Sequence, residues 1–374
     1  MKLDALLKTM VKQDAADLYL AVGAPPSFTA KGKFVRIGND DLEPEQIASM
    51  AYGLMRDDQK SEFEKSLELN IAYSLPGLGR FRINIMKQRN SIGMVIRQIK
   101  LDILSLEDLK LPPILAEMAL LERGLVLVTG ATGSGKSTTL AAVIDHRNSN
   151  KGGHIITIED PLEFIHPHKK SIVTQREVGM DTLSYKNALK SALRQAPDVM
   201  LIGEIRDRET MEAAIAFSDT GHLVFSTLHS NNANQTLERI INFFPAEEHP
   251  MAYMQLSLNL RGIICQRLLA TKDGKGRTAV LEVMLNSPRI ADLIHKGDTA
   301  GLKSVIAAST HENMQTFDQH LFELYKEEVI DYDTAIRAAD SANDLKLKIR
   351  MEESESFETG DLSLEETIKE EEER

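Results

Sequence analysis

Along the first hundred positions the apolar residues recur at two different intervals. Near 3–13 and over 44–66 they follow helical spacing, whereas 17–21 and 27–36 are short runs that read as strands. The segments LELNIAYSL (67–75), GRFRINIMKQ (79–88) and IGMVIRQI (92–99) alternate apolar with polar residues and are split by Pro76-Gly77 and Asn90-Ser91. Alternation bounded by turn residues predicts three strands. The stretch 100–113 loses that alternation and ends in Pro112-Pro113, so it is expected to be a linker. From 114 the pattern changes. Short, almost wholly apolar runs, LVLVTG (125–130), HIITIED (154–160), VMLIGE (199–204) and LVFSTLH (223–229), alternate with helical stretches. Strands of that kind are buried on both faces, which implies an α/β fold with a parallel sheet. Helices are expected near 288–296, 299–308, 314–326 and 332–347. The expected organisation is therefore an α+β domain over 1–99, a linker over 100–113, an α/β domain with C-terminal helices over 114–350, and a tail over 351–374.

Composition changes this picture in one place. The chain of 374 residues carries a net charge of -12, but residues 351–374 hold eleven acidic residues against Lys369 and Arg374, a net of -9. The folded body is thus almost neutral, with no basic, aromatic-studded stripe, which argues against a nucleic-acid partner. The acidic tail is expected to be disordered and solvated, or else to dock on a basic partner surface through a helical portion near 363–373. The single cysteine, Cys265, cannot make an internal disulfide and reads as a buried small apolar residue. With no signal-peptide layout and no apolar run near the ~20 residues that span a bilayer, a cytoplasmic location is expected, with any membrane association made through partners.

The strongest chemical signal is GATGSGKST: Gly130, Ala131, Thr132, Gly133, Ser134, Gly135, Lys136, Ser137 and Thr138, placed between an apolar strand and a helix. The three glycines permit positive φ and close approach, so successive backbone N–H groups can cradle phosphate at a helix N-terminus. Lys136 supplies a charge to the β- and γ-phosphates, and the Ser137 hydroxyl suits a Mg²⁺ ion. ATP and Mg²⁺ are the ligands this implies.

Hydrolysis needs carboxylates near the metal and the attacking water. In DVMLIGEIRD an apolar strand delivers Glu204 to its C-terminal end, where ligands bind in α/β sheets. Glu204 is the candidate for polarising water; capping the next helix, or pairing with Arg206 or Arg208, is the alternative. In ITIEDPLEF a second strand ends on Glu159 and Asp160, Pro161 turns the chain, and Glu163 can point back. A solvated turn is the alternative there, and spacing does not choose among the three. His222 and His229 bracket a third strand, seven positions apart, an odd spacing that argues against a joint zinc site. Either could sense phosphate or serve as a core or capping histidine.

The order of these four motifs resembles the secretion ATPase superfamily that powers type IV pili and type II secretion, where they are called Walker A, Asp box, Walker B and His box. That resemblance spans about 1–340 and implies a PAS-like N-terminal domain joined to a RecA-like ATPase domain. It implies catalytic roles for Glu163 and Glu204, nucleotide-linked roles for His222 and His229, and arginine fingers among Arg80, Arg82, Arg97 and Arg239. Hexameric rings are also implied. A single cysteine excludes the four-cysteine zinc module of assembly-type members. RIADLIHKG (289–297) is a degenerate form of a retraction-type motif, altered at Asp292, His295 and Lys296. Together with the acidic tail, this resembles the PilU-type accessory branch of the retraction ATPases. The implied partners are a PilT-type motor and an inner-membrane pilus platform, and the implied activity is twitching motility driven by ATP hydrolysis, or an ATP-binding adaptor ring that couples another retraction motor to its load and whose own hydrolysis is dispensable.

Overall fold

The structure, a computed structural model, describes residues 2–30, 33–99 and 102–352. The acidic tail therefore lies almost wholly outside the described residues. The chain forms two compact units. One comprises Met1–Ile103 with Pro161–Pro167 and Gln175–Leu183; the other comprises Leu104–Asp160, His168–Thr174 and the chain from Ser184 onward.

The first unit begins with α1 (Leu3–Lys12), whose Leu3, Leu6, Leu7 and Met10 fall on one buried face. Then follow β1 (Ala15–Leu20), β2 (Ser27–Ala30), β3 (Lys33–Arg36), α2 (Pro44–Leu54), α3 (Asp57–Ser66), β4 (Glu68–Leu75), β5 (Gly79–Gln88) and β6 (Ser91–Ile99). The stretch expected as strand over 27–36 holds two strands, β2 and β3, which pair antiparallel. The six strands lie in the order β3-β2-β1-β6-β5-β4. Alternation along β5 buries Phe81, Ile83 and Ile85 against α1, α2 and α3 residues such as Leu7, Ile47 and Phe63. The same alternation places Arg80 and Arg82 on the opposite face.

The second unit contains α4 (Ile114–Ala119), β7 (Gly124–Thr129), α5 (Lys136–Asn150), β8 (Gly153–Glu159), the start of β9 (Ser171–Glu177), whose last three residues count with the first unit, α6 (Tyr185–Ala192), β10 (Val199–Ile202), α7 (Arg208–Asp219), β11 (Leu223–Leu228), α8 (Ala233–Ile241), α9 (His249–Asn259), β12 (Leu260–Ala270), β13 (Arg277–Leu285), α10 (Pro288–Lys296), α11 (Leu302–Ala308), α12 (Phe317–Lys326) and α13 (Tyr332–Ala338). Its sheet runs β13-β12-β7-β11-β10-β8-β9. Strands β7, β8, β10 and β11 are mutually parallel, and every residue of β7, β10 and β11 is buried. Leu106 and Leu111, in the stretch expected to be a linker, are buried in this unit's core.

The helix expected over 332–347 is broken. Asp318 accepts hydrogen bonds from the backbone N–H groups of Asp340 and Ser341, which stops α13 and starts a second helical stretch at 342. No helix among the described residues is long and apolar enough to cross a membrane.

Candidate nucleotide site

Because β7, β8, β10 and β11 are parallel, the chain leaves all four at the same edge of the sheet. That edge receives Gly130 after β7, Asp160 after β8, Glu204 after β10 and His229 after β11. Ligands of open α/β sheets bind at such an edge.

The loop after β7 has the backbone its glycines allow. Gly133 and Gly135 have φ of 78° and 89°, in the left-handed region. At Gly130 a Cβ would lie 2.4 Å from the Gln266 carbonyl oxygen and 2.5 Å from Ser134 Oγ, so no side chain fits. The buried Ser134 hydroxyl has no hydrogen-bond partner among the described residues, and the Ser137 hydroxyl is exposed. Lys136 is buried to 9% exposure, and its ammonium donates to the carbonyls of Gly130 at 2.8 Å and Ala131 at 3.0 Å. Burial lowers its pKa, and the charge of Glu204 partly opposes that shift. A glycine-lined loop at a helix start, with one lysine folded onto it, has the chemistry of a polyphosphate cradle. One hydroxyl suits Mg²⁺, which fills its remaining positions with phosphate oxygens and water. Among the described residues no three His, Cys, Asp or Glu side chains form an all-protein metal cage.

Glu204 is held from two sides. Arg206 donates to its Oε2 at 2.7 Å, and His229 Nε2 lies 3.1 Å from its Oε1. Arg206 also reaches Asp160 at 3.9 Å. The pairing of Glu204 with Arg206, weighed as an alternative from the sequence, is therefore present. Burial and the charge of Lys136 lower the His229 pKa, while Glu204 raises it. The phenol of Tyr185 sits among Asp160, Glu159 and Glu204 and has its pKa raised, mainly by burial, so it stays protonated.

His222 is not brought to this cluster. It precedes β11 while His229 follows it, and a six-residue strand separates its two ends by about 20 Å. Its Nδ1 lies 3.1 Å from the Phe217 carbonyl and from the Thr220 hydroxyl, and its ring stands edge-on to Phe217. Glu163 is exposed and belongs to the first unit, where Arg97 feels its charge.

The four candidate arginines differ in what holds them. Arg97 pairs with Asp17 at 2.7 Å across β1 and β6. Arg80 approaches the buried Glu177 at 4.0 Å. Burial is the main force raising the Glu177 pKa, and both Arg80 and Arg82 lower it. Arg239, in the last turn of α8, is exposed. Sequence reasoning missed Asp17, Glu177 and Gln266. Each lies far along the chain from its partner, so no local spacing could have revealed it.

Residues 75–337 match the family described as "Type II/IV secretion system protein". The chain is 53% identical over 351 residues, 94% of its length and 92% of the other, to the type IV pilus ATPase PilU of Pseudomonas aeruginosa. It is 44% identical over 321 residues, 86% of this chain and 93% of the other, to the type IV pilus retraction ATPase PilT of the same organism. Among solved structures, that of the pilus retraction motor PilT with bound ADP superimposes with a TM-score of 0.86 at 38% identity, covering 92% of this chain and 99% of that one.

Proposed function

The chain belongs to the type II/IV secretion ATPases, in the PilT/PilU branch of P-loop ATPases, and from that premise we propose that it powers type IV pilus retraction as a PilU-type accessory motor. The observation that carries this reading is the shared sheet edge, where the phosphate loop meets Glu204, His229, Arg206 and Asp160. Lys136 and the loop amides bind the phosphates of ATP, and the Ser137 hydroxyl would hold a Mg²⁺ ion, which when bound would supply positive charge to those phosphates. Glu204 orients the attacking water, with His229 and Arg206 fixing the carboxylate. Glu159 and Asp160 would lend negative charge to a bound Mg²⁺ and its water, and Glu163 is the second catalytic carboxylate of the proposal.

Subunits assemble as a hexamer at the inner face of the inner membrane, held there by a pilus platform protein and working with a PilT-type motor. Arg80 and Arg82 act as the fingers. A guanidinium is always charged and planar, which suits a phosphoryl transition state. Arg97 is engaged by Asp17 and serves the fold of its own sheet.

ATP turnover of the wild type, Lys136→Ala and Glu204→Gln tests the reading. Lys136→Ala should lose ATP binding, whereas Glu204→Gln should keep it and lose at least 10²-fold in turnover, of the order general-base removal costs. Equal rates in all three proteins would sink the proposal. The degenerate stretch 289–297 favours a second reading, an adaptor ring with dispensable hydrolysis. Restoration of twitching in a null strain by Glu204→Gln, which keeps ATP without turning it over, with the PilT-type motor present, would decide for the adaptor.

A further inference from the structure

Gln266 lies on β12, the strand beside β7, and its side chain is turned under the phosphate loop. It is 3% exposed, and both ends of its amide are engaged. Nε2 donates to the Ser134 carbonyl at 2.8 Å, and Oε1 accepts from the Thr139 hydroxyl at 2.7 Å. A carbonyl offers only lone pairs, so the amide nitrogen must be the end that faces Ser134.

We propose that Gln266 is a positioning residue for ATP. By holding the Ser134 carbonyl on the sheet side of the loop, it turns the Gly135 N–H outward to the phosphates. The two groups belong to one planar trans peptide and point in opposite directions, so anchoring one aims the other. The packing leaves the loop little freedom to do otherwise. A Cβ at Gly135 would lie 2.8 Å from Gln266 Nε2, and one at Gly130 would lie 2.4 Å from the carbonyl of Gln266 itself. Through Thr139, the same amide is tied to the first turns of α5, whose N-terminus carries the remaining donors. The inference rests on reading Gly130–Ser137 as the phosphate loop.

Three variants of the full chain test it by equilibrium binding of ATP and ADP alongside thermal unfolding without nucleotide. Gln266→Met keeps the length and removes the donor; it should weaken both nucleotides about tenfold and also lower the nucleotide-free midpoint, since the buried Ser134 carbonyl and Thr139 hydroxyl lose their partner. Gln266→Glu places lone pairs against the Ser134 carbonyl and should bind more weakly still at pH 8. Its deficit relative to wild type should shrink as pH falls, because the neutral acid regains a hydrogen to donate. A role in filling space alone would show no such pH dependence. Lys136→Ala separates the two levels of the argument. If it too binds like wild type, the phosphate-loop reading fails; if only the Gln266 variants do, this inference alone is overturned. Should Gln266→Met not fold, Thr139→Val decides: a smaller rise in Kd supports the proposal and a wild-type Kd overturns it.

Discussion

Histidines 229 and 320 both have their pKa lowered, and burial is the main cause in each case. For His229 the charge of Lys136 adds to the lowering and Glu204 opposes it. His320 accepts a hydrogen bond from the Leu281 N–H on Nδ1, a role open only to an unprotonated nitrogen. A histidine whose folded pKa lies below its unfolded value, about 6.5, takes up protons more readily when unfolded. Stability is therefore full above about pH 6.5 and declines as pH falls below it. Urea unfolding should show a lower midpoint at pH 5.5 than at pH 7.5. His320→Asn, which keeps an acceptor for Leu281 but cannot titrate, should show a smaller difference. At this scale the sequence supplied the candidate phosphate loop, whose chemistry is contiguous. It concealed Gln266, whose partners Ser134 and Thr139 lie more than a hundred residues away.

Helices and strands were legible wherever their periodicity was undiluted. The apolar strands β7, β8, β10 and β11 announced themselves, whereas β12 did not, since Gln266 and Arg267 interrupt its apolar run. Both polar residues are satisfied by tertiary contacts: Arg267 lies over the Phe317 ring at 3.8 Å and pairs with Asp340 at 2.7 Å. The break after α13 was hidden for a similar reason, because Asp318 on another helix makes it. Helix starts are more local. Asp207 caps α7, accepting from the Thr210 N–H at 2.8 Å, directly after Glu204 and Arg206. Asp207→Ala should cost about 1 kcal/mol in chemical unfolding and leave the fold intact. A buried arginine shows the other extreme: Arg147 donates to the carbonyls of Ala119 and Leu121, joining α5 to the end of α4. Arg147→Met should destabilise by roughly 1–3 kcal/mol, since two carbonyls lose their donor.

For the whole molecule, charge and symmetry carry the remaining expectations. Most of the net charge of -12 sits beyond residue 350, so deleting 353–374 should leave ATP turnover and unfolding unchanged. If the tail docks on a partner motor or platform, the deletion should abolish capture of that component from cells; unchanged capture returns it to a solvating extension. Light scattering with ATP should report six subunits, and Arg80→Ala should lower turnover without lowering ATP affinity if the fingers act in trans.

By itself the sequence determined the class of fold, the phosphate loop and the positions of the acidic strand ends, because each is written in contiguous residues with a backbone consequence. Only the tertiary structure decided which side chains share the site. It set His229 and Arg206 on Glu204, left His222 at the far end of β11, gave Arg97 to Asp17 and put Gln266 under the loop. Those pairings arise from strand order and register, and a parallel sheet sets both through contacts between segments distant in the chain.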